Sequence, residues 1–179
     1  MRTFVFVPLV LLLAACNPAY QRSTAPATAK IRFTAGQHKG YLSSMSVYAH
    51  DNETCGTPKK VVGLGGGMWN WGGGKKARGD IGMAKDPAVQ YVIGQYYETT
   101  VEAGKRFHFT VTGGEDYKVC YVSASLLPEA GNEYEVTYTT SQAMCRLKLE
   151  KIALQDASLI RVREASGMQR DTPCTFFWN

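Results

Sequence analysis

An all-β sandwich is the fold this sequence predicts, and three observations predict it. From Lys30 onward apolar and polar residues alternate, the two-residue period of strands with one face in a core. The alternating runs are short and divided by Gly, Pro, Asn and Asp turn signals, and no stretch holds convincing helical spacing; Asp86 to Tyr91 supplies at most a turn or two. Finally, Cys55, Cys120, Cys145 and Cys174 form an even set, as expected of two disulfides in an exported chain.

The elements follow in order. Ile31 and Phe33 between Lys30 and Arg32 predict a half-buried first strand, and Val47 and Ala49 mark a second within Ser46 to His50. Tyr96 to Val101, the turn Glu102-Ala103-Gly104-Lys105, and Phe107, Phe109 and Val111 alternating with His108, Thr110 and Thr112 predict a hairpin. Cys120, Val122, Ala124 and Leu126 then share one strand face; Tyr134, Val136 and Tyr138 share the next; Cys145, Leu147 and Leu149 share a third. Pro128 to Asn132 turns the chain between the first two of these. Ser158 to Arg163, with Ile160 and Val162 inward, and a short Cys174 to Trp178 complete the set.

Cysteine parity turns these strands into two layers. In a flat three-stranded meander the outer strands lie about 10 Å apart, and a disulfide needs Cα atoms within about 7 Å. Cys120 and Cys145 therefore belong to facing sheets, with the Pro128 turn carrying the chain from one to the other. That pairing leaves Cys55 to Cys174 to tie down the C-terminus. Closing the shorter loop stabilises by roughly 3 kcal/mol. Seven or eight short strands stapled in this way fit a single immunoglobulin-like or transthyretin-like β-sandwich.

The N-terminus reads differently. Arg2 and the apolar run from Phe4 to Ala14 have the pattern of a secretory leader, too short to span a bilayer, which takes about 20 apolar residues. The run ends in Leu13-Ala14-Ala15-Cys16, which resembles the lipobox of bacterial lipoproteins. The resemblance implies diacylglyceryl attachment to the Cys16 thiol, cleavage before it, and more than one acyl chain, as stable anchoring requires. Asn17, where aspartate would favour the inner membrane, implies the outer membrane. The chain divides into a signal peptide at 1–15, the lipidated cysteine with a flexible Pro/Ser/Thr/Ala-rich tether at 16–29, and the domain at 30–179. Val101 to Lys105, Cys120, Leu127 to Gly131, Tyr134-Glu135-Val136 and Cys145 together resemble the C-terminal half of small uncharacterised proteobacterial envelope lipoproteins. That likeness implies fold and address, and no activity.

Charge and motifs exclude more than they identify. Twenty Lys and Arg against 15 Asp and Glu give +5, spread too thinly for a nucleic-acid surface. The most unusual internal segment, Gly63 to Lys76, sets Trp69 and Trp71 between glycines, with Lys75, Lys76 and Arg78 beyond. Its Gly-Lys lacks the glycine spacing and following Ser or Thr of a phosphate loop. Indole faces stack on sugars or fill a partner's pocket, and the neighbouring cations suit carboxylates of peptidoglycan or of a protein. His50, Asp51 and Glu53 lack the rigid spacing of a metal site and read as a solvated turn; no metal or cofactor is expected. With no Gly-x-Ser-x-Gly elbow and both bridges formed, no nucleophile is apparent. The expected function is a non-catalytic, outer-membrane-anchored periplasmic lipoprotein that binds an envelope protein or glycan through its loops. The alternatives are an accessory lipoprotein of a secretion or assembly machine, or a periplasmic inhibitor of an enzyme such as lysozyme.

Overall fold

The computed structural model describes residues 20–35, 44–64, 79–89, 91, 94–115, 118–141, 144–156 and 158–175. Among them lie ten strands, not seven or eight: β1 (Thr28–Ala35), β2 (Ser44–His50), β3 (Lys59–Leu64), β4 (Tyr96–Glu102), β5 (Phe107–Glu115), β6 (Lys118–Leu126), β7 (Glu133–Ser141), β8 (Met144–Gln155), β9 (Ser158–Arg163) and β10 (Met168–Gln169). They form two five-stranded sheets, β4-β1-β7-β8-β9 (sheet 1) and β10-β6-β5-β2-β3 (sheet 2), an all-β sandwich. All pairings are antiparallel except β1 with β7.

The alternation read from the sequence builds the interior. Ile31, Phe33 and Val136 from sheet 1 meet Val47, Phe109 and Val111 from sheet 2, all fully buried. Phe33 and Phe109 cross the layers edge to face, 5.5 Å between centroids. Both disulfides have the expected partners. Cys120 on β6 and Cys145 on β8 join the two sheets, and Cys55 with Cys174 closes a separation of 119 residues.

The expected hairpin does not form. β4 pairs with β1 in sheet 1 and β5 pairs with β2 and β6 in sheet 2, so the 102–106 turn crosses between layers. The alternation fixed each strand's inward face, but a sheet partner is chosen by the whole core. The Pro128 turn makes a second crossing, from β6 to β7. The two crossings brace each other: Gly104 N–H donates to Pro128 O at 2.8 Å, and Gly131 N–H to Thr28 O at 2.9 Å. Both glycines have φ near +77°, where a β-carbon would be strained.

Four further expectations change. Residues 20–29, placed in the tether, are docked on the domain: β1 starts at Thr28, Ser23 N–H donates to Thr100 O, and Ala103 N–H to Ala27 O. Arg32, expected to face solvent, is fully buried, because residues 79–89 and Tyr91 cover the outer face of sheet 1. Val162, expected inward, is 56 % exposed, since the two-residue β10 leaves that edge of sheet 1 uncovered. Of the expected Cys174 to Trp178 strand, Cys174 and Thr175 form none and 176–178 lie outside the described residues, so β10 is the last strand among the described residues.

Candidate functional site

Edge strands β3 and β4 face each other along one side of the sandwich, a seam that residues 20–27 close. Tyr20 spans it. Its N–H donates to Lys60 O on β3 at 3.4 Å, its hydroxyl donates to Thr100 O on β4 at 3.1 Å, and its ring meets Phe107 edge to face. Burial pushes the Tyr20 phenol above its ordinary pKa. Two residues on, Arg22 lies over the Tyr97 ring. The sequence pattern had no signal for this, because the Pro/Ser/Thr-rich composition that reads as a tether contains a single aromatic anchor.

Where the seam meets the 102–106 crossing, a cleft of about 150 Å³ opens. Tyr20, Val101 and Phe107 give it an apolar wall, and Asp51, Glu102, Lys105 and Arg106 line its mouth. The volume is below the roughly 300–1,000 Å³ of sites that engulf a drug-sized ligand. It suits one charged side chain or headgroup, met by groups of both signs.

His50 lines the cleft and is buried, not part of a solvated turn. Its Nε2 is 2.8 Å from Thr110 Oγ1, which is 2.6 Å from Ser123 Oγ, and Ser123 Oγ accepts from Cys174 N–H at 2.7 Å. Burial lowers the His50 pKa most; His108 and Arg170 act with burial, and the Gly56 backbone and Asp51 against it. A hydroxyl beside an imidazole invites a nucleophile reading. Here Ser123 is 1 % exposed and Thr110 fully buried beneath the disulfide-held C-terminal segment, so a substrate carbonyl has no approach. The chain is a fold device.

Sheet 1 carries the other polar cluster. Arg32 makes two bonds to Glu98 Oε1, at 2.8 and 3.0 Å, and one to Glu135 Oε2 at 3.1 Å. Arg161 bridges Glu135 to Asp86, and Tyr91 lies over the Arg32 guanidinium. Glu98 Oε2 accepts the N–H groups of Ile81 and Met83, fixing the 79–89 cover. Every charge has a partner, as burial demands.

The expected binding residues Trp69, Trp71, Lys75, Lys76 and Arg78, and the lipidation residue Cys16, lie outside the described residues. The residues that flank the tryptophan segment are described, and both belong to the seam. Leu64 ends β3; Gly79 sits against Tyr97 of β4, and Glu98 N–H donates to its carbonyl at 2.6 Å. A β-carbon at Gly79 would overlap the Tyr97 ring. Among the described residues no group of His, Cys, Asp and Glu is arranged to hold a metal ion. Compared with protein-family models, with curated proteins and with solved structures, the chain matches none.

Proposed function

We propose that this is a non-catalytic lipoprotein of the bacterial envelope. The leader is removed at Cys16, acyl chains hold the mature chain on the outer membrane, and the sandwich stands in the periplasm and binds an envelope protein or glycan through its loops. The cysteine pairing carries the reading. Of five cysteines, four bond to one another inside the domain, so Cys16 has no disulfide role within the chain and ends a lipobox-like run four residues before the docked Tyr20. Two disulfides also suit an oxidising compartment such as the periplasm.

Mass spectrometry of detergent-extracted protein tests the address. The expected N-terminal peptide begins at an acylated Cys16, and Cys16→Ser leaves the membrane fraction; an unmodified N-terminus on membrane-free protein overturns the proposal. Binding is tested by photo-cross-linking from Trp69 and Trp71 in living cells. A defined adduct is expected at both positions, and a pattern identical to that of a control surface position removes this loop as the binding element.

A further inference from the structure

Tyr20 is the first described residue, and it is locked into the β3–β4 seam by its backbone N–H to Lys60 O on one edge strand and its hydroxyl to Thr100 O on the other. If acylation at Cys16 holds the chain, as proposed above, only three residues, four Cα–Cα steps, separate the anchored cysteine from that lock. A fully extended chain covers at most about 3.5 Å per residue, so Tyr20 lies within about 14 Å of the anchor. Sheet 1 has four strand spacings from β4 to β9, which at about 4.8 Å each is a width of about 19 Å. Turning the β9 edge onto the bilayer would lift Tyr20 farther than its tether reaches. The covalent limit decides between two basic surfaces, because Arg163 on β9 and Lys148 on β8 are exposed too.

We infer that the β3–β4 seam, with the cleft beside Tyr20, is the side on which the domain rests against phospholipid headgroups. The chemistry at this side fits that occupant. Gln21, Arg22 and Lys60 are exposed next to the lock, and Lys105 projects at the cleft mouth with its side chain 70 % exposed. Lys59 stands beside Lys60, and the nearby acids are Asp51, paired with Lys59, and Glu102, which Lys105 approaches at 3.7 Å. The cations here outnumber the acids, which favours anionic headgroup phosphates within a Debye length of about 8–10 Å. The cleft is of a size to take one headgroup. Leu64 and Gly79 stand on this same side.

The test uses full-length acylated protein in vesicles of phosphatidylethanolamine and phosphatidylglycerol. Benzoylphenylalanine replaces Gln21, Lys60 or Lys105 in one set and Val162 or Arg163 in the other, and mass spectrometry counts phospholipid adducts after illumination. At least tenfold more adduct is expected from the seam set. Equal or greater yield from the β9 set, or no adduct from either, overturns the inference. Intact mass and vesicle flotation keep the two proposals apart. Protein that is acylated and floats but cross-links through β9 refutes the orientation alone, whereas protein that carries no acyl group and does not float refutes the anchor and the orientation with it.

Discussion

On the outer face of sheet 1, Arg32, Glu98, Glu135 and Arg161 lie beneath residues 79–89 and Tyr91, a cover whose Asp86 pairs with Arg161; on the outer face of sheet 2, the neutral chain of His50, Thr110 and Ser123 lies beneath a segment tied down by Cys55–Cys174. Each face solves the problem of covering polar side chains on a small sandwich. Buried charges supply strong, directional bonds, and a carboxylate such as Glu98 grips the backbone of its cover directly. Hydroxyls and a neutral imidazole supply weaker ones, about 1 kcal/mol each, and here the cover is covalent. The contrast teaches that these two covers are held in different ways, one by charge and one by a cross-link, and that each has its own way to fail.

The covalent face gives the largest expected effect. Cys55–Cys174 spans 119 residues against 25 for Cys120–Cys145. In the chain-entropy model the longer loop is worth about 5 kcal/mol and the shorter about 3.5 kcal/mol. The disulfide also holds Cys55 at φ 66°, a left-handed conformation unusual for a residue with a β-carbon. Denaturant unfolding of Cys55→Ala/Cys174→Ala should show the greater loss of the two double variants, with hydrogen exchange accelerated first at residues 170–175. A smaller loss than for Cys120→Ala/Cys145→Ala would mean that hydrogen bonds alone hold the C-terminal cover.

The charged face follows closely. Arg32→Met leaves Glu98 and Glu135 buried without their shared cation and should cost about 3–5 kcal/mol. Adding Glu98→Gln and Glu135→Gln removes the charge stranded at Glu98 and the one left to Arg161 alone at Glu135, while keeping acceptors for Ile81 and Met83, and the triple variant should be more stable than Arg32→Met alone. Equal stability of the two in urea unfolding would show that packing of the Arg32 stem, not charge balance, closes this face.

These two faces also mark what the sequence could and could not disclose. Alternation identified the inward residues of β1, β2, β5, β6 and β7 and, through the parity of Cys120 and Cys145, the two layers. Period-two patterning reports one thing, which residues share a face. It is silent on which strands pair, so β4 and β5 looked like a hairpin. It also treats every polar residue on the opposite face as solvated, so Arg32 was expected to face solvent and nothing in the pattern marked Glu98 and Glu135 as buried; His50 was read as solvated from its polar neighbours. The covers that bury them, 79–89 with Tyr91 and 170–175, have no period of their own. Tyr20 was hidden for the same reason: one aromatic in a tether-like composition becomes legible only when the gap it fills is known.

The smallest expected effect separates the faces by pH. Burial lowers the His50 pKa below its ordinary 6.5, and burial with Arg106 lowers that of His108, opposed there by Glu53. With a lowered folded-state pKa, the unfolded chain takes up protons first, so stability present above pH 6.5 is lost as pH falls below it. The slope has a ceiling of about 1.4 kcal/mol per pH unit for one proton, and His108 is only half-buried, so its share of the slope should be shallower. On sheet 1 the sign is the same but the window differs. Arg161 holds Asp86 below its ordinary 3.8, so the stability from that carboxylate persists until pH falls under that value. Unfolding free energies between pH 7.5 and 5.5 should therefore decline in the native protein, much less in His50→Gln and partly in His108→Gln, with Arg32→Met/Glu98→Gln/Glu135→Gln, which leaves no buried carboxylate of the cluster to titrate in this window, declining in parallel with the native chain. A decline that survives in both histidine variants would locate the sensitive group elsewhere and break the division of the two faces by pH.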